Sequence, residues 1–504
     1  MKKFLFRILC AILSVGTCLS LFTACGGGNN GGKLNDLDLR FDENGDPIFN
    51  DITLNVWSVI GLPDNVYLNR VADSFNDYYK NNGVKVVVRS MNESNFYKSL
   101  PSTLRTDKKN APDMVLYHSE RLTYFASSGI IAPIEEYLTA AKNPIDRNDY
   151  LPNVISECVY KNDLYGIPLD EHAGVYFARN DVLEKNGLSV PTTLQELVSV
   201  CNTLITLNRN SRLWYRTLNS QEWKKGKLEN FYPLSMEYDN GIATGWIPET
   251  ALLQNGGSMS TADGKPGWNN DNLAKILQII RDWWKGENSY PDEFTYSGAF
   301  IQKDAQNSTM WQRFADCNTV FAMEGPWQIE TKLNEFEELS DKEDQDGNKY
   351  QAVEIMNLSK LFALDPTASY ADKVYGVGHV FSLTSVCTEN AERAVAAAIF
   401  AKFMSENSIN YLQGGHLPAY KKTLVSEELK SKDFYNRYVK KICDPTTLEF
   451  LGNTKNFTEV YEELKSAFSD NLSTQSSFVS LTAENILQQR YKTALDAISA
   501  NEDL

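Results

Sequence analysis

From Ile52 onward, short β-branched runs alternate with stretches of helical length, and this rhythm constrains the fold more than any other feature of the chain. Ile52-Thr53-Leu54-Asn55-Val56-Trp57 alternates apolar and polar residues as a half-buried strand does. Residues 64–79 then place Val66, Val71, Phe75 and Tyr78 at helical spacing, and Gly83 ends the segment. Residues 84–88 predict a second strand, 96–104 a helix and 112–117 a third strand. The pattern resumes with a strand at 175–178 and a helix opened by Pro191-Thr192-Thr193, with Thr as cap and Glu196 at the third helical position. Residues 270–284 read as a strongly amphipathic helix, 320–323 as a buried strand, 374–383 as a strand and 391–404 as an Ala-rich helix. The remainder, to 503, reads as mainly helical. Strands alternating with helices imply an α/β fold whose parallel or mixed sheet is covered on both faces. No internal repeat is present.

The first 24 residues have a different character. Lys2, Lys3 and Arg7 precede an uncharged apolar run, 8–22, that is short for a membrane span and is followed by Gly- and Asn-rich sequence. Small residues followed by Cys at Phe22-Thr23-Ala24-Cys25 resemble a bacterial lipobox. The resemblance implies cleavage before Cys25, acylation of its sulfur with a palmitate-type lipid, and a protein tethered to the outer face of the bacterial cytoplasmic membrane. Residues 25–50 then read as a flexible tether. The net charge of −16 falls to about −19 once the three leader cations are removed, which disfavours nucleic acid and anionic headgroups as partners. Five widely spaced cysteines (158, 201, 317, 387 and 443) contain no Cys-x-x-Cys, so neither a disulfide framework nor a zinc site is expected of them. Buried thiols are the simplest reading, with room for one disulfide. Acidic stretches at 42–46 and 341–348 lack a required ligand for a calcium loop: Thr53 stands at the twelfth position of the first, and Lys342 at the first position of the second.

An ordered set of further motifs carries a family resemblance. It comprises the strand ending at Trp57, Pro112-Asp113, Tyr165-Gly166-Ile167-Pro168 and the run from Arg179 through Gly187 into Pro191-Thr192-Thr193. Leu252 to Gly257, Ala322-Met323-Glu324-Gly325-Pro326-Trp327 and Leu417-Pro418-Ala419-Tyr420 complete it. In this order they resemble the extracellular solute-binding proteins of ABC sugar importers, the group that includes maltose-binding protein. The resemblance implies a two-lobed periplasmic-binding-protein-like fold with hinge strands, ligand held between the lobes, and a helical C-terminal segment. The expected organisation is a signal peptide over 1–24, a tether over 25–50, one lobe from 51–168 and 375–445, and a second from 169–374 with the helices of 446–504. The chain is expected to cross between lobes at 167–169 and 374–378. It also implies a monomeric receptor that delivers a carbohydrate, an oligosaccharide by preference, to ABC permease subunits, with no cofactor, metal or catalytic residue.

A pyranose offers hydroxyls around its edge and C–H groups on its faces, so its site needs aromatic platforms rimmed by carboxylates, amides and Arg. Tyr117, Glu120 and Arg121 follow the third strand, where open α/β sheets place ligands. The family pattern implies that Tyr117 stacks while the acid–Arg pair takes hydroxyls. Asp170, Glu171 and His172 follow the first crossing, and such groups need partners if buried. Trp327 closes the Gly-Pro-Trp motif that in the family floors the sugar site. Trp246, ten residues before Gly256, matches another stacking position; Trp57 ends the first strand, and His379 lies just past the second crossing. The competing readings are a same-fold receptor for a polyamine or peptide, and an extracellular glycan-cleaving enzyme with two facing carboxylates.

Overall fold

The protein is described by a computed structural model that covers residues 34, 37–236, 242–268, 270–302, 307–340, 351–452, 456–473 and 475–502. The leader, Cys25 and the acidic loop at 341–348 lie outside the described residues. The strands that organise the fold are β1 (Ile52–Ser58), β2 (Val84–Ser90), β3 (Met114–His118), β4 (Ile131–Ala132), β5 (Ile167–Pro168), β6 (Asp170–Ala173) and β7 (Val175–Arg179). They continue with β8 (Leu234–Met236), β9 (Phe321–Glu324), β10 (Val353–Asn357), β11 (Val374–Val377), β12 (His379–Thr384), β13 (Leu417–Pro418) and β14 (Leu448–Glu449).

Three sheets result. The first has the order β2-β1-β3-β12-β4, with β5 also on β12. Its β1 pairs in parallel with β2 and β3, whereas β12 runs antiparallel to its neighbours. The second has the order β8-β9-β7-β10. Between them lies a short sheet, β13-β6-β11-β14, in which β6 is antiparallel to β11 and β13. The chain passes from the first sheet to the second as β5, β6 and β7 in immediate succession. It returns through β11 and β12. The fold is thus two-lobed α/β, with both crossings side by side.

The expected single strand at 374–383 is broken at Gly378. A Cβ there would lie 2.4 Å from the carbonyl oxygen of Asp170 and 2.6 Å from the Val154 side chain, so only Gly fits where the two crossings touch.

The helices that matter are α1 (Asp64–Tyr78), α2 (Leu194–Arg209), α3 (Ile242–Leu253), α4 (Asp271–Lys285), α5 (Ala391–Glu406), α6 (Phe457–Asn471) and α7 (Ala483–Glu502). In α1, Leu68, Val71, Ala72 and Phe75 are buried. Val66 and Tyr78, expected on that stripe, are exposed instead. Helix α2 begins as its sequence implies: Thr193 accepts from the Glu196 N–H, while the Glu196 carboxylate reaches back to Thr192. Helix α4 starts at the Asn270 cap and ends at left-handed Gly286. The Ala residues of α5 are buried on nearly all sides, because small side chains let it pack against both β1 and α1. All five described cysteines are buried and unpaired.

The expected tether is in part folded. Arg40–Phe41 pairs with Pro47–Ile48, and Asp46 accepts hydrogen bonds from Tyr78, the last residue of α1, and from Tyr79 just after it. Phe49 is buried in the core. Flexible-looking composition is overridden here by an Asp-capped turn at Asp42 with partners on a helix.

The C-terminal helices are fastened to α4 by one buried cation. Arg281 donates to the carbonyls of Asn471, Phe478 and Val479. Arg281→Met would leave the buried Asn471 carbonyl without its donor and take one of two donors from the carbonyls of Phe478 and Val479, which keep the Leu481 N–H and Lys285 Nζ. It is expected to lower unfolding stability by about 2–3 kcal/mol in urea denaturation. An unchanged midpoint would show that apolar packing and the remaining hydrogen bonds, Asn471 to Leu277 and Ala483 to Gln278, hold α6 and α7 without Arg281.

Candidate functional site

The junction between the crossings concentrates chemistry. Strand β6 buries Asp170, Glu171 and His172 in succession, against the usual alternation, because both of its edges and both of its faces are covered. Asp170 accepts from His172 Nδ1 at 3.1 Å, from His379 Nδ1 at 2.8 Å and from the His379 backbone N–H at 3.2 Å. His416, in the turn before β13, donates from Nε2 to Asp64 at 2.9 Å and points Nδ1 toward Asp170 at 3.8 Å. Asp170, His172, His379 and His416 each bring one donor atom within 4.8 Å of the others. His118 completes the group, its ring 5.0 Å from that of His379. All four histidines of the chain therefore meet at one place.

The electrostatics of the group sort its protons. Burial alone would push the Asp170 carboxyl up. The charges of His379 and His416, with the hydrogen bonds from His172 and His379, hold it well below the usual carboxylate range. Burial, then the charge on His416, pushes His172 well down, and burial lowers His379 despite Asp170. Burial opposes the charge on His416, yet the two aspartates win and raise it. Burial likewise opposes the charge on His118, and Glu93 raises it. Glu171 has no partner for either oxygen; burial and then the Asp170 charge push it up to about 8.

An aromatic pair flanks this group. The Trp246 and Trp327 rings lie 5.7 Å apart, and Trp246 meets the His172 ring edge-on at 5.7 Å. Trp327 needs the glycine before it: a Cβ on Gly325 would fall 2.3 Å from its ring. Trp246 and Glu249 are three apart on α3 and so share a face. Glu249 is fully buried with both oxygens unpartnered, and burial pushes it well above the usual range. Around it lie Tyr375, Tyr461, Glu120, Glu462 and Lys465. The Tyr375 hydroxyl and one Glu120 oxygen also lack partners.

Two contacts tie the sides of this region together. Arg121 pairs with Glu462 of α6 while stacking over Tyr97 and Tyr461. The Tyr67 hydroxyl of α1 donates to Glu330, in the helix that follows Trp327.

Of the residues singled out in the sequence, Asp170, His172, His379, Trp246 and Trp327 come together, with Glu171 beside them and Glu120 and Arg121 in the adjoining polar region. Tyr117 does not join them. It is fully buried against Phe125 and its hydroxyl bonds to Ser382, because its position on β3 faces inward to the lobe's core. Trp57 lies in register with Arg89, whose guanidinium stands 6.0 Å over its ring, and it makes no ring contact with the tryptophan pair. His118, His416, Asp64 and Glu249 were not anticipated. The one local cue was Gly414-Gly415-His416 just ahead of the Leu417-Pro418 motif.

The sequence profile of the family described as bacterial extracellular solute-binding protein matches residues 71–432. Among solved structures, the GacH receptor of Streptomyces glaucescens, determined unliganded and with acarbose, superposes with a TM-score of 0.65 at 16% identity, covering 88% of this chain and 98% of that one. An ABC substrate-binding protein of Listeria monocytogenes in complex with cycloalternan gives 0.64 at 14% identity, with 89% and 99% covered. A solute-binding protein of Thermotoga lettingae bound to α-D-tagatose gives 0.63 at 17%, with 88% and 98% covered.

The unpartnered Glu171 has a consequence for stability. Its folded-state value of about 8 exceeds the ordinary 4.5. A raised acid contributes stability that is fully present below its unfolded value and is lost as pH rises through the folded value. The loss therefore falls between about pH 4.5 and 8. Glu171→Gln removes it: wild type and variant should unfold at similar urea concentrations near pH 5, and the variant should be more stable by a few kcal/mol near pH 9. Parallel pH profiles for the two proteins would contradict the burial argument.

Proposed function

Because the chain belongs to the bacterial extracellular solute-binding proteins, we propose that it captures a carbohydrate, preferably an oligosaccharide, between its two lobes and delivers it to an ABC permease without chemical change. The observation that carries this reading is the Trp246–Trp327 pair set beside buried polar groups that lack partners. Aromatic faces match the C–H faces of pyranose rings, and Glu249, Glu120, Tyr375 and Glu171 match hydroxyl groups at their rims. The ligands named for the similar structures, acarbose, cycloalternan and α-D-tagatose, support the same class.

In this reading the lobes are formed by 51–168 with 375–445 and by 169–374 with 446–504. They bend where β5 meets β6 and where β11 meets β12. Ligand bridges the aromatic pair and the polar groups, and the closed state gains contacts that the open state lacks. Micromolar binding corresponds to roughly −8 kcal/mol, within reach of stacked rings and several hydrogen bonds. The abundance of buried acids around the tryptophans favours one second reading, a polyamine-type cation.

A thermal-shift screen of sugars, polyamines and peptides separates these readings, because only true ligands raise the melting temperature. For the best sugar, Trp246→Ala and Trp327→Ala should each weaken binding by about 1–3 kcal/mol in calorimetry. Tyr117→Phe, within a core, should leave binding unchanged. A screen answered only by polyamines, or tryptophan variants that bind normally, would remove the sugar reading. Conversion of an oligosaccharide by catalytic amounts of protein would remove the receptor reading.

The anchor belongs to the same proposal. Cys25 carries the lipid and the folded body works as a monomer outside the cytoplasmic membrane. Among the described residues, no helix is long and apolar enough to cross a bilayer. Cys25→Ala should abolish metabolic labelling with a fatty acid, and persistent labelling of the variant would refute the lipobox.

A further inference from the structure

We propose that Asp170, His172, His379 and His416 bind a divalent transition-metal ion of the zinc type at the junction of the two lobes. This inference does not rest on the identity of the transported solute.

The donor set is the first argument. Three imidazoles and one carboxylate suit zinc and its first-row neighbours, and are unsuited to calcium or magnesium, which take oxygen ligands. Distances are the second. Zinc–ligand bonds of about 2.0–2.1 Å place tetrahedral donors roughly 3.3 Å apart. The histidine nitrogens stand 2.8, 3.1 and 3.8 Å from Asp170 oxygens, and no two of the four donor atoms are more than 4.8 Å apart. Contraction of the widest pair by about 1.5 Å would complete the tetrahedron.

The third argument is an unsatisfied atom. His416 Nδ1 is fully buried and lacks any hydrogen-bond partner, although it faces Asp170. At 3.8 Å it is too far for a hydrogen bond and suitably placed for a shared cation. Its other nitrogen is committed: Nε2–H donates to Asp64. A carboxylate on the far nitrogen fixes the tautomer and aims the near lone pair, as outer-shell partners of metal-bound histidines do.

Charge is the fourth. Asp170 and Asp64 are buried carboxylates on either side of His416, and a dication beside them offsets the charge of both. Because the ligands come from both crossings and from the turn before β13, the ion would fasten the junction itself. Binding releases the protons it displaces.

The test uses the purified full chain, stripped with chelator and titrated with Co2+ and then with Zn2+ against a chromophoric competitor. One Co2+ per chain should bind with the intense visible absorption of a four-coordinate ion and without a thiolate charge-transfer band. Stoichiometric Zn2+ should then bleach it. His379→Gln and His416→Gln should weaken Zn2+ binding at least 100-fold, and Asp64→Asn by about 10–100-fold, as outer-shell losses do. Circular dichroism confirms that each variant is folded. Should a variant fail to fold, the wild-type Co2+ spectrum decides alone. Absence of stoichiometric uptake, a weak six-coordinate spectrum, thiolate charge transfer, or folded histidine variants with wild-type affinity would overturn the proposal. Calorimetry with sugar on the metal-free chain reads the transport function separately, so either result can fail without the other.

Discussion

The buried carboxylate of Asp170 is the interaction on which the junction depends. It follows the first crossing directly and accepts from the backbone and ring of His379, which follows the second. It also accepts from His172 on its own strand, and Gly378 packs against its carbonyl. A carboxylate in so closed a space costs several kcal/mol unless it is paired and hydrogen-bonded. Here the two donors on His379, its backbone N–H and its ring, also hold one crossing to the other. The arrangement therefore fixes the register of β6 between β11 and β13 without requiring either to be long. Four short strands suffice where hydrophobic pairing alone would specify little.

The contacts that visibly link the two sides of the cleft are less important than they look. Arg121–Glu462 has one partner almost half exposed, and pairs of this kind typically contribute about 1 kcal/mol or less. Tyr67–Glu330 is a single part-buried hydrogen bond, worth about 1–2 kcal/mol. Their sum is small beside the free energy of ordinary ligand capture. On the proposed reading, the balance between open and shut is then set chiefly by the groups that become buried rather than by these two rim pairs.

How far the chain could be read in advance follows from which information is local. Helix starts were legible because caps act within four residues, as at Thr193 and Glu196. The strands were legible from alternation, although Gly378 divides the second crossing where the carbonyl of Asp170 leaves no room for a Cβ. Tyr117 shows the limit: alternation assigns residues to two faces of β3 without saying which face meets the core. The opposite strand, 265 residues away, answers that through Ser382. The histidine group was illegible for the same reason. Its members come from four separate segments, and no short spacing links His118, His172, His379 and His416. Only Asp170 and His172 are near neighbours, and they and His379 were singled out for their places just past the two crossings, not as one group. Docking of residues 40–49 was hidden because Asp46 finds its partners on a helix more than thirty residues on.

The groups left without partners give the junction its direction. Glu171, Glu249, one oxygen of Glu120 and the Tyr375 hydroxyl are all buried and unsatisfied. Each such group costs about 1–3 kcal/mol, so together they weigh against closure by roughly 4–12 kcal/mol. On the proposed reading, a solute that supplies partners for them removes that cost in the shut form. The shut form is then stabilised by the difference in ligand affinity between the two states, and by no more than that difference. On the proposed reading, apolar residues at the same positions would favour the shut form with or without cargo. Unpartnered polar groups make closure conditional on cargo, which on the proposed reading is what a receptor must report to a permease.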